Sequence, residues 1–224
     1  MIVDKNKLEM TLLLIIPVLI LLILSADIYA EGIKLKPNVV AGDHFGYSSC
    51  LYGDYAIVGA ALGEGKKGSA YIFKYDDNSW KEQAILTAKD GQVGDLFGRS
   101  VAITDRYAFV GASDDDNDMG AGTGTVYIYR LNGISWDEDT TLRPHGQMIE
   151  SCQFGWSISA SGNYLIVGSP MESWRGGAIY IFECVNDKWM EQAKLASSNW
   201  APGDYLSVSI EEDSGTGWVC RSLR

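Results

Sequence analysis

Phe97-Gly98-Arg99-Ser100, then Tyr107-Ala108-Phe109-Val110-Gly111-Ala112, then Gly124-Thr125-Val126-Tyr127-Ile128-Tyr129, is the stretch whose reading decides how this 224-residue chain folds. The last two segments are short, apolar and rich in aromatic and β-branched residues, so they read as strands. The same order occurs twice more. Phe45-Gly46-Tyr47-Ser48 leads to Tyr55-Ala56-Ile57-Val58-Gly59-Ala60 and Gly68-Ser69-Ala70-Tyr71-Ile72-Phe73. Phe154-Gly155-Trp156-Ser157 leads to Tyr164-Leu165-Ile166-Val167-Gly168-Ser169 and Gly177-Ala178-Ile179-Tyr180-Ile181-Phe182. Each unit closes with a tryptophan and an alternating segment: Trp80 to Leu86, Trp136 to Leu142, and Trp189 to Leu195.

That makes four strands per unit. Gly53-Asp54, Thr104-Asp105 and Gly162-Asn163 separate the first two strands. Asp76-Asp77-Asn78, Asn132-Gly133 and Asn186-Asp187 separate the last two. Asp, Asn and Gly supply the geometry of tight antiparallel turns. A four-stranded antiparallel unit repeated about every 50 residues is the signature of a β-propeller blade. The second and third strands read as nearly continuous apolar runs, as expected where both faces are covered, whereas Trp80-Lys81-Glu82-Gln83-Ala84-Ile85-Leu86 is more polar. Burial is expected to fall from the middle of the blade to its rim.

Phe-Gly followed by Val-Gly-Ala, with a glycine opening the third strand, resembles the FG-GAP repeat of integrin alpha-chain propellers, most closely the bacterial secreted type. The resemblance covers residues 31–210 and rests on three copies in one order. It implies Phe45, Gly46, Phe97, Gly98, Phe154 and Gly155, with Gly59, Gly111 and Gly168, as repeat residues serving the blade. It also implies an adhesion-type module outside the cytoplasm, with calcium in a propeller loop.

Composition agrees with an all-β globular chain. Hydrophobic residues make up 46% and charged residues 21%, with 25 glycines and 5 prolines. The formal net charge of −11, with no stripe of basic residues, argues against a nucleic-acid partner. Cys50, Cys152, Cys184 and Cys220 show no regular spacing, which argues against a disulfide framework or a zinc site.

Met10 to Ala26 carries no charge, is dense in Leu and Ile, and follows Lys5 and Lys7. Residues 1–30 read as a signal peptide, with cleavage after Ala30 placing Ile28 and Ala30 at the recognised positions. An uncleaved anchor is the alternative, since a bilayer is spanned by about 20 residues. Either way the remainder is expected to be exported: secreted, periplasmic or on the cell surface, with no membrane contact beyond this segment.

The blade units span about 41–90, 91–148 and 149–200, with a partial fourth at 201–210 and a degenerate tail at 211–224. Ile33-Lys34-Leu35-Lys36 aligns with the outer-strand endings of the later units and reads as an outer strand belonging to a last blade. In the fourth unit Asp204-Tyr205 stands where Phe-Gly belongs, and Glu211 to Gly217 offers no second strand. Three blades do not close a ring that takes about 4 to 8. The sequence thus reads as an incomplete propeller, either a truncated or frame-shifted product or one that self-associates through its open blade edges.

Asp114-Asp115-Asp116-Asn117-Asp118 lies between the second and third strands of the middle unit. Asp114, Asp116 and Asp118 alternate as oxygen donors would around Ca2+, a cation that takes 6 to 8 of them. Met119 stands where a turn glycine is expected, and Gly122 where a carboxylate is, so a plain solvated acidic loop is the other reading. No other cofactor is indicated. Gly98-Arg99-Ser100-Val101-Ala102 is a poor nucleophile elbow, because that turn leads from strand to helix and the serine recurs in every unit. His44 and His145 do not lie beside a serine or cysteine in the repeat register, and no acidic pair stands at matched blade positions, so no enzyme is expected. A secreted propeller glycoside hydrolase or lyase, and a non-functional fragment, are the rival readings.

Tyr47, Arg99 and Trp156 occupy one position, directly after Phe-Gly, and differ in every unit. A position that varies while its surroundings repeat suits contact with a ligand, here an unnamed protein or carbohydrate outside the cytoplasm. Trp174, in a loop, is a further candidate. Ordinary partial burial of large side chains is the alternative for all four.

Overall fold

The structure is a computed structural model. It describes residues 35, 42–61, 67–144, 151–172 and 176–196 in full, and 207–213 and 217–223 as backbone strands. The chain divides into two units, Met1–Lys36 and Pro37–Arg224. Leu35 is the only described residue of the first, so the signal segment and, apart from Leu35, the aligned outer strand lie outside the described residues. Among the described residues no helix is long and apolar enough to cross a membrane.

The second unit holds three four-stranded antiparallel sheets in simple chain order. The first is β1 (Ser48–Tyr52), β2 (Tyr55–Ala60), β3 (Ser69–Asp76) and β4 (Ser79–Leu86). The second is β5 (Phe97–Ile103), β6 (Tyr107–Ala112), β7 (Thr125–Asn132) and β8 (Ser135–Leu142). The third is β9 (Ser157–Ser161), β10 (Tyr164–Ser169), β11 (Ala178–Val185) and β12 (Lys188–Ala196). These are propeller blades, and the described residues do not close them into a ring. Each blade carries the same β-bulge between its third and fourth strands, after Ile72, Ile128 and Ile181.

Period-2 alternation decides which neighbour each side chain meets. In the middle blade Val101, Ile103, Ala108, Val110, Tyr127 and Tyr129 pack against Ile57, Ala70, Ile72 and Leu86 of the first blade. The intervening Ala102, Tyr107, Phe109, Val126 and Ile128 pack against Phe154, Leu165, Val167, Ala178 and Tyr180 of the third. Both faces of β6 are therefore covered and all six of its residues are buried, while half of the residues of β8 at the rim are exposed. Burial does fall from mid-blade to rim. Each fully buried large side chain of this kind stabilises by about 1.5–3 kcal/mol.

Two tryptophans tie their outer strands to the preceding blade. Trp136 stands edge-on to Tyr55, with centroids 5.7 Å apart, and its indole N–H donates to Gln83 Oε1. Trp189 meets Tyr107 and Phe109 in the same way. Trp80 instead contacts Tyr75 of its own blade.

The repeat pattern weakens after Ile210 and predicts no second strand beyond it, yet β13 (Ser207–Asp213) pairs along its full length with β14 (Gly217–Leu223). β13 lies against β9 and β10, as β9 lies against β5 and β6 and as β5 lies against β1 and β2. Backbone pairing and docking on the preceding blade hold a strand whose side-chain pattern is weak.

Candidate recognition site

The Phe-Gly motif builds a turn. The N–H of Tyr47, Arg99 and Trp156 donates to the carbonyl three residues back, at His44, Leu96 and Gln153, over 3.0–3.2 Å. The turn needs positive φ at its glycine, and Gly46, Gly98 and Gly155 have φ of 93°, 91° and 86°. His44, Leu96 and Gln153 also have positive φ, a conformation few non-glycine residues adopt. In the middle blade the turn is a bulge: Phe97 pairs with Ala112 and Ser100 with Gly111, leaving Gly98 and Arg99 out of the ladder. A bulge re-aims its side chain, here that of Arg99.

The phenylalanine anchors this turn to its own blade. Phe97 stands edge-on to Tyr127 and Tyr129, Phe154 to Tyr180 and Phe182, and Phe45 to Tyr71 and Phe73. The glycine carbonyl faces the preceding blade. Ser48 Oγ donates to Gly98 O at 2.9 Å and Ser100 Oγ to Gly155 O at 2.6 Å. A Cβ on Gly59 would lie 2.0 Å from Gly98 O, and one on Gly111 2.2 Å from Gly155 O. Those positions therefore admit only glycine, and the repeated serine is an inter-blade fastener. Gly168 repeats the intra-blade part, accepting the N–H of Gly155 at 3.1 Å as Gly59 accepts that of Gly46 at 3.0 Å.

Blades fastened in this way bring the three variable residues together. The Arg99 guanidinium carbon lies 3.3 Å from the ring centroid of Trp156 and 5.4 Å from that of Tyr47. Arg99 Nη1 donates to Tyr47 Oη at 2.8 Å. Tyr47 is 43% exposed, while Arg99 and Trp156 are half-buried. Arg99 Nε is buried with no hydrogen-bond acceptor. Trp174 lies outside the described residues.

The acidic loop is organised differently. Asp114 Oδ1 accepts from Gln153 Nε2 at 2.9 Å, Asp116 Oδ1 from the N–H of Gly122 at 2.8 Å, and Asp118 is ion-paired with Arg143. Asn117 knits the loop, accepting from Thr123 Oγ1 and the N–H of Met119 and donating to Gly124 O. Among the described residues no group of three His, Cys, Asp or Glu side chains is placed to hold a metal ion. As arranged, Asp114, Asp116 and Asp118 are each turned to a separate protein donor.

Sequence reasoning missed Asp115 and Asp95, which are buried. Burial pushes the Asp115 carboxyl up to about 6; a hydrogen bond from Thr125 opposes this, and the charges of Asp95 and Asp90 add to it. Asp115 Oδ2 has no hydrogen-bond partner. Burial raises the Asp95 carboxyl too. Neither has a sequence signal, since the run around Asp115 reads as solvated. Also missed was Asp187, which bridges Arg106 at 2.8 Å and Arg130 at 2.9 Å and so pins the third blade to the second.

A family model described as FG-GAP repeat matches residues 35–73, 80–129 and 149–182. Integrin alpha-2 of Bos taurus is 27% identical over 131 residues, which covers 51% of this chain and 11% of that protein. The similarity thus spans a small part of a much longer relative.

Proposed function

The chain belongs to the FG-GAP repeat family, and from that premise we propose that it acts outside the cytoplasm as a non-catalytic recognition module of adhesion type. The observation that carries this reading is the meeting of Tyr47, Arg99 and Trp156, the one variable position of three successive motifs, in a single partly exposed cluster. Everything around them is spent on the blades: the motif phenylalanines on intra-blade packing, the glycines on close approach, and Ser48 and Ser100 on inter-blade hydrogen bonds. Those engaged hydroxyls also speak against a serine nucleophile.

The test is binding of the purified chain to immobilised extracellular-matrix proteins and polysaccharides, compared with Trp156→Ala. Saturable binding that Trp156→Ala loses supports the module. Binding indifferent to that change, or turnover of a polysaccharide, overturns it. Export is tested separately, by expressing residues 1–224 and sequencing the N-terminus of extracytoplasmic material; Glu31 as first residue is expected, and retention in the cytoplasm removes this part of the reading.

A further inference from the structure

We propose that Arg99, held between Tyr47 and Trp156, is an anion-recognition point that takes the carboxylate of an acidic side chain on a partner polypeptide. This deepens the recognition reading above and rests on it.

Among the arginines whose side chains are described, Arg99 stands apart. Arg106 and Arg130 share Asp187, and Arg143 pairs with Asp118, but among the described residues Arg99 has no carboxylate within ion-pair distance. In a chain of net charge −11, a half-buried cation without a counterion is an open valence. The face of the guanidinium lies on Trp156, one Nη1 proton is committed to Tyr47 Oη, and Nε carries an unmet donor. A planar fork with free donors matches a carboxylate, and rings that fix its plane remove part of the ordering cost of binding.

The surroundings favour a polypeptide acid over an acidic sugar. Reading a sugar takes several polar groups that bond its hydroxyls, and the motif hydroxyls beside the cluster, Ser48 and Ser100, already donate to Gly98 and Gly155. One charge flanked by rings and glycines suits a single carboxylate on a flexible side chain.

The experiment titrates the full chain with acetyl-Gly-Glu-Gly-amide, acetyl-Gly-Gln-Gly-amide and a galacturonate trimer, following the Arg99 Nε–H and Trp156 indole N–H resonances by NMR. Saturable shifts with the Glu peptide alone are expected, with loss in Arg99→Gln and about tenfold weaker binding in Arg99→Lys, the latter a cation without the fork. Equal shifts with the Glu and Gln peptides, or no saturable shift, overturn the proposal, as does preference for the galacturonate. The wild-type titration decides even where Arg99→Gln fails to fold. If macromolecular binding depends on Trp156 but not on Arg99, the carboxylate assignment fails and the recognition reading survives.

Discussion

The Arg99 guanidinium lies 3.3 Å from the ring centroid of Trp156, which belongs to the next blade, and 5.4 Å from that of Tyr47 in the preceding blade. Three blades thus contribute one residue each to a continuous cation–aromatic contact, made possible because a bulge turns Arg99 out of its ladder. The contact supports the blades as well as presenting a surface. Trp156→Leu is expected to lower unfolding free energy by about 1 kcal/mol beyond any change from lost area, and Tyr47→Phe by less, read from urea denaturation. No loss in Trp156→Leu beyond the area effect would remove the cation–ring contact as a source of stability.

Gly111→Ala places a methyl 2.2 Å from the Gly155 carbonyl, which forces two blade backbones apart. A loss of about 3 kcal/mol or more is expected, at the upper end for overpacking because the clashing atom is backbone. Gly53→Asn is the control: its φ of 53° suits Asn and its Cβ meets nothing within 4 Å, so under about 1 kcal/mol is expected. Similar losses at both sites would remove the close-approach explanation.

Ser100→Ala deletes a buried hydrogen bond and leaves the Gly155 carbonyl unmatched on that side. About 1–2 kcal/mol of stability should go, with less for the partly buried Ser48→Ala. A neutral Ser100→Ala would mean that a water replaces the hydroxyl.

Asp115 makes stability depend on pH in a definite direction. Its carboxyl sits near 6 when folded against 3.8 for the free group, so between those values the folded chain holds a proton that the unfolded chain has released. This term therefore falls away as pH rises through that window, and above about pH 6 the full penalty, on the order of 2–3 kcal/mol, is present. Asp95 acts in the same direction. Asp187, whose carboxyl is lowered by Arg106 and then Arg130, acts oppositely and loses its contribution as pH falls below about 4. Asp115→Asn should be more stable than the parent at pH 7 and show a flatter profile between pH 4 and 7 in thermal melts. An unchanged profile would remove Asp115 as the cause.

Calcium at millimolar concentration is expected to leave the melting temperature unmoved, because Asp114, Asp116 and Asp118 are engaged by Gln153, Gly122 and Arg143. A rise of several degrees, lost in Asp116→Asn, would show that the loop rearranges around the ion.

The sequence by itself determined the blades. Strand alternation, turn residues and the Phe-Gly grammar are local, so they could be read before any contact was known, and three copies in one order made the FG-GAP likeness specific. It also marked Tyr47, Arg99 and Trp156 as a position apart. Only tertiary structure decided that they touch, because their contact depends on blade spacing, which is set by Gly59 and Gly111 against the carbonyls of Gly98 and Gly155. The acidic run shows the same division. Five neighbouring residues look alike in sequence, yet the packing of the middle blade against its neighbours buries Asp115 and turns Asp114, Asp116 and Asp118 to separate donors. Desolvation and charge pairing are properties of the assembled blades, and one-dimensional order does not carry them.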